Sequence, residues 1–96
     1  MPEVQFEIVW PDGESEVCYS PSSVIQTYFY AGESYDLEEF VARSRQALTT
    51  ASDRVQQKYG HPCRLALAQL QAIQEKANHY PNHPSQQVKV VYLKAI

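Results

Sequence analysis

With 96 residues, 44% of them hydrophobic and 20% charged, the chain has a globular composition, far from the low-hydrophobicity, high-charge range of disordered segments. One core is expected, burying roughly 60 to 70% of the unfolded surface, so residues 1–96 are read as a single domain that needs no metal, cofactor or disulfide to fold. The formal net charge of −3 sets the overall field against nucleic acid and anionic membranes. No apolar run approaches the roughly 18 residues of a membrane span, so neither nucleic acid nor membrane is expected as a partner.

The opening Met1-Pro2-Glu3-Val4-Gln5 lacks the basic and apolar regions of a signal peptide, and the chain is expected in the cytoplasm. In residues 4–10, Val4, Phe6, Ile8 and Trp10 share one face, the period-2 pattern of a half-buried strand. Pro11-Asp12-Gly13 then suits a three-residue hairpin loop, with proline presetting φ and glycine free to turn left-handed. That loop sets Trp10 opposite Glu14, Ile8 opposite Glu16 and Phe6 opposite Cys18, which turns Cys18 toward the apolar side.

Residues 20–35 carry turn signals around an aromatic centre, Tyr28-Phe29-Tyr30, and are expected to form a short helical turn and a loop. A long helix follows. Asp36 with Glu39 forms a capping-box pattern, and Tyr35 with Phe40 a hydrophobic staple. Apolar residues then recur at Leu37, Phe40, Val41, Leu48, Ala51, Val55 and Tyr59, until Gly60 supplies a C-cap. This predicts about 23 residues spanning about 35 Å, with a weak stretch at Leu48-Thr49-Thr50-Ala51-Ser52.

Pro62 is placed at the first position of a second helix that carries Ala66, Leu67, Leu70, Ile73 and Ala77 on one side, and the short connection makes the two helices antiparallel neighbours. Tyr80-Pro81-Asn82-His83-Pro84-Ser85 breaks it. In the last strand Val88, Val90 and Tyr92 alternate with Val91 and Leu93, a pattern that asks for cover on both faces, from a central position in the sheet or from another subunit. The fold class is therefore α+β, in the order β-β-α-α-β, with the hairpin and the last strand in one sheet.

The two cysteines are too few for a disulfide framework and are read as free thiols, a Cys18–Cys63 bridge requiring the hairpin to pack over the second helix's start. At that start the helix dipole favours a thiolate, and His61 precedes Cys63 by two residues, which makes Cys63 with His61 the candidate nucleophile and base. Cys63 also leads the apolar series through Ala66, Leu67 and Leu70, so a buried structural thiol is the simpler reading. His79 and His83 have the spacing of two ligands on one helical face, but the intervening prolines break that face. His61 lies about 27 Å from His79 along the helix, so no metal site is assigned. Arg43, Arg45, Arg54, Lys58 and Arg64 read as a solvated helix face with pairs such as Glu39–Arg43. No glycine-rich phosphate loop or Gly-x-Ser-x-Gly elbow is present. Tyr19, Tyr28, Phe29, Tyr30 and Tyr35 remain, among seven tyrosines in all. They are either a contact surface or the cap of the hairpin's own core.

Several segments together resemble a family of small bacterial nitrogen-starvation-response proteins encoded in nitrilase-containing gene clusters. They are Trp10-Pro11-Asp12-Gly13, Cys18 through Ile25, Phe40 through Leu48, Ala51 through Val55, and Lys58-Tyr59-Gly60 with Cys63, in this order and spacing. The resemblance implies an accessory role in nitrogen assimilation, near nitrilase, acetyltransferase-like and radical-enzyme neighbours, and brings no catalytic residues with it.

Two functions follow as expectations. The first is a non-enzymatic interaction protein whose aromatic loop and last strand contact a second copy, as in a homodimer, or a co-encoded enzyme. The second is a small enzyme or ligand-binding protein that uses Cys63 on a nitrogenous metabolite.

Overall fold

The computed structural model describes residues 3–81 and 86–96. Strand β1 (Val4–Val9) and strand β2 (Ser15–Ser20) form the expected hairpin, with Phe6 opposite Cys18 and Ile8 opposite Glu16. The register is locked at the turn. The Trp10 N–H donates to the Glu14 carbonyl at 2.8 Å and the Gly13 N–H to the Trp10 carbonyl at 2.8 Å, while Gly13 takes the left-handed φ of +90° that a side chain would resist.

After a 3-10 turn at Ser23–Thr27, where the Ser22 hydroxyl accepts from the Val24 N–H at 3.3 Å, the chain forms a strand that the sequence pattern does not announce. This strand, β3 (Ser34–Asp36), pairs with the start of β4 (Gln87–Ala95). Three residues are too few to display an alternation, so the segment reads as loop until its partner is known. The four strands lie in the order β2-β1-β4-β3, all neighbours antiparallel.

The last strand is central, between β1 and β3, but its two-faced pattern has another cause. Its register against β1 shifts between Glu7 and Ile8, which pair with Tyr92 and Val90 and leave Val91 as an extra residue. A bulge reverses the alternation beyond it. Val88 and Val90 therefore face the core before the bulge and Leu93 after it, whereas Tyr92 turns outward and its hydroxyl accepts from Gln5 Nε2 at 2.8 Å. The expected common face of Val88, Val90 and Tyr92 is corrected accordingly.

Helix α1 runs Leu37–Tyr59 and ends at Gly60, whose φ is +86° and whose N–H reaches the Gln56 carbonyl at 2.8 Å. The capping box does not form. Asp36 is the last residue of β3 and makes no side-chain cap; its carboxylate accepts from Gln87 Nε2 at 3.2 Å, Glu39 pairs with Arg43 at 2.9 Å, and the Leu37 N–H goes to the Gln86 carbonyl at 2.9 Å. The chain returning toward β4 thus replaces the side-chain cap. Tyr35 and Phe40 are joined through Phe29, whose ring centroid lies 5.2 Å from the first and 5.3 Å from the second.

Helix α2 spans Arg64–Ala77 and starts later than expected, with Cys63 as N-cap and Pro62 outside the helix. The Cys63 N–H donates to the Ser52 hydroxyl of α1 at 3.1 Å, a bond that holds this residue in extended geometry. Ala66, Leu70, Ile73 and Ala77 face inward, but Leu67 is 42% exposed and does not belong to that face. On α1 the buried face is completed by Ser44, Ala47 and Ser52, small residues that let the helix approach closely, while Tyr59 is 58% exposed. Both helices cover the sheet face that carries Val4, Phe6, Ile8 and Trp10, and the described residues share one core built around these side chains, Phe29, Phe40, Leu48, Ile73, Val88 and Val90.

Candidate functional site

The sequence-predicted site residues separate into two places. Tyr28, Phe29 and Tyr30 stay together at the loop between the 3-10 turn and β3, beside Tyr35 within β3, whereas Tyr19 lies on edge strand β2, where its N–H donates to Gln69 Oε1 of α2 at 3.1 Å.

At the loop, Phe29 is buried, stacking at 6.5 Å on Phe6, and Tyr28 and Tyr35 are half-buried against the core. Tyr30 is different: its side chain is 62% exposed, while its backbone N–H is held by the Tyr35 hydroxyl at 2.9 Å. Arg43 of α1 clamps the same loop. Its Nη1 donates to the Tyr28 carbonyl at 2.7 Å, its Nε to Glu39 at 2.9 Å, and its guanidinium lies 5.0 Å over the Tyr35 ring. The far side is tied to the sheet by the Gly32 N–H on the Val90 carbonyl at 2.7 Å and the Val90 N–H on the Glu33 carbonyl at 2.9 Å. A large aromatic ring is thus presented to solvent from a fixed backbone.

The second place is the tip of the helical hairpin. Cys63 is half-buried and forms a wall of two clefts. One, of about 580 Å³, also has His61, Pro62, Arg64, Leu65 and Val55 in its lining; the other, of about 230 Å³, has Glu3, Tyr19, Pro21, Val55 and Tyr59. Cys63 and His61 therefore share a cleft, but His61 Nδ1 lies 3.4 Å from the Pro62 carbonyl and makes no described hydrogen bond to the thiol. Burial, and after it the neighbouring Glu3 carboxylate, push the Tyr19 phenol up to about 12.

Cys18 is buried, and desolvation followed by the charge of Glu16 pushes its thiol up to about 12, so at neutral pH it is no nucleophile. Both cysteines are free. His79 is exposed, and His83 lies outside the described residues, among which no group of three or more metal-ligating side chains comes together. A third cleft, of about 420 Å³, separates the start of α1 from the end of α2, with Glu38, Arg45, Asn78 and Tyr80 at its rim. The grouping of Glu3 and Tyr19 with Val55 and Tyr59 has no sequence signal, because it joins the N-terminus, β2 and the end of α1, three separate parts of the chain.

Fold and surface together define a small α+β protein: one helical layer on a four-stranded antiparallel sheet, with a rigidly mounted aromatic loop at one place and clefts at the hairpin tip at another. The sequence model of the family described as nitrogen starvation-induced protein NitG matches residues 5–93, and the chain belongs to that family. The resemblance to nitrogen-starvation-response proteins, read from short segments, is thereby established over almost the whole chain. No curated protein and no solved structure matches it significantly.

Proposed function

We propose that this protein is a cytoplasmic, non-enzymatic accessory factor of the nitrogen-starvation response that works through protein–protein contacts. Its partner is a second copy of the chain or an enzyme encoded with it in a nitrilase-containing gene cluster. The observation that carries this reading is Tyr30, 62% exposed on a loop whose backbone is fixed by Arg43, Tyr35 and Val90. Aromatic anchors are the side chains that most often dominate binding, and a loop already ordered before association loses little conformational freedom when it docks. Tyr28 and Tyr35 support the anchor from below, and Phe29 acts through the core beneath it. Tyr19 belongs to a separate surface. Among the described residues no helix is long and apolar enough to cross a membrane. Less supports an enzyme built on Cys63, since the His61 ring meets the Pro62 carbonyl and not the thiol.

Size-exclusion chromatography with light scattering, together with affinity capture from nitrogen-starved cells, tests the proposal. The expected result is a dimer or a captured enzyme, with the contact weakened at least about tenfold by Tyr30→Ser while thermal stability shifts little. A strict monomer that retains no partner overturns it.

A further inference from the structure

We propose that the cleft between β2 and the hairpin tip, walled by Glu3, Tyr19, Pro21, Val55, Tyr59 and Cys63, is a binding site for a small primary alkylammonium ion. The proposal goes beyond the contact surface at Tyr30, which lies on another loop.

Size comes first. A volume of about 230 Å³ falls below the roughly 300 to 1,000 Å³ of sites for drug-sized ligands and suits a molecule of a few heavy atoms. Charge comes next. The lining has one carboxylate, Glu3, and no lysine, arginine or histidine, so its own side chains suit a cation better than an anion. Among the described residues Glu3 has no salt-bridge partner.

The remaining walls match the rest of such a ligand. Tyr19 and Tyr59 contribute aromatic rings, whose faces attract ammonium groups. The Lys58 ammonium lies 5.4 Å from the Tyr59 centroid, and Lys58 itself is not part of the cleft lining. The Tyr19 phenol stays protonated throughout the physiological range, beside Glu3. Its hydroxyl oxygen and the carboxylate together offer acceptors to an ammonium with three N–H donors. Pro21 and Val55 supply apolar contact for a short alkyl chain. Cys63 acts as a wall, and no covalent step is assigned to it.

The test is a titration of the full chain, followed by amide chemical shifts at constant ionic strength, with n-butylammonium as probe and n-butanol and butyrate as neutral and anionic counterparts. The expected result is saturable shifts at Glu3, Tyr19, Val55, Tyr59 and Cys63 with butylammonium alone, and an affinity lowered about tenfold or more in Glu3→Gln, as the loss of a charged hydrogen-bonding partner requires. Glu3 is exposed, so the substitution leaves the fold in place. Equal binding of butanol, an unchanged affinity in Glu3→Gln, or shifts that never saturate would each overturn the proposal.

Discussion

Glu16 points inward from edge strand β2, where its carboxylate accepts from the Trp10 indole N–H at 3.0 Å and stands 4.0 Å from the Cys18 sulfur. An inward charge on an edge strand hinders further strand pairing, and here it also keeps Cys18 protonated. The thiol rises from an ordinary value of 9.0 to about 12 through burial and then the Glu16 charge. Below pH 9 both folded and unfolded chains carry the proton; between 9 and 12 the unfolded chain loses it and the folded chain does not, so stability falls as pH rises. The expected slope is up to about 1.4 kcal/mol per pH unit above pH 9. Urea unfolding at pH 8, 9.5 and 10.5 should show that steepening in the wild type, and a shallower slope in Cys18→Ala, which itself loses about 1 to 2 kcal/mol at neutral pH. Parallel slopes in the two proteins would disprove the assignment. The inward direction of Cys18 was legible from the Pro11-Asp12-Gly13 loop alone, since the loop fixes the register and the register fixes the face.

At the scale of elements, the loop between the 3-10 turn and β3 is ordered by its bonds to α1 and β4 more than by its own sequence. Arg43 makes two bonds whose magnitudes differ. The i,i+4 pair with Glu39 is solvent-exposed and stabilises by about 0.3 to 0.5 kcal/mol, whereas a charged hydrogen bond to the Tyr28 carbonyl contributes about 1.5 to 3 kcal/mol where water is excluded, and less at this half-buried site. Arg43→Ala should therefore lower the unfolding free energy by about 1 to 2 kcal/mol and Glu39→Gln by no more than about 0.5 kcal/mol. Hydrogen exchange should report faster opening around residues 28–33 in Arg43→Ala alone. Comparable losses in both variants would shift the weight to the ion pair. The limits α1 reaches were readable because Gly60 and the apolar spacing are local signals. Asp36 misled because its cap pattern competes with a sheet bond to β4, a partner about fifty positions away. The bulge at Val91 escaped for the same reason: it exists only relative to Glu7 and Ile8. Where an element's form depends on a distant partner, periodicity along the chain cannot report it.

For the whole molecule the strand order is decisive. The first strand pairs with the last, and that last strand separates β1 from β3, so neither the hairpin nor the helical pair holds a complete set of neighbours without β4. The core follows the same pattern. Trp10, the only tryptophan, meets Phe40 of α1 edge-on at 5.7 Å, stacks on Tyr80 beyond α2 at 5.7 Å and bonds to Glu16 of β2. The hairpin end is further fastened to α2 by Lys76, half-buried, on the exposed Glu14 at 2.8 Å, a surface pair of small energetic weight. A fluorophore in contact with the hairpin, α1 and the segment after α2 should lose its environment when any one of them detaches. Urea unfolding followed by Trp10 fluorescence and by far-ultraviolet circular dichroism is therefore expected to give coincident transitions, with an m-value of about 1 to 2 kcal/mol/M for a chain of this size. If the helical signal persisted after the fluorescence change, the helical hairpin would be a unit with a stability of its own. The clefts at its tip would then move independently of the sheet, and Glu3 and Tyr19 would no longer be held against Val55, Tyr59 and Cys63 in a fixed arrangement. Coincidence of the two probes is thus the condition under which both the rigid aromatic loop and the cleft at the tip can act as preformed surfaces.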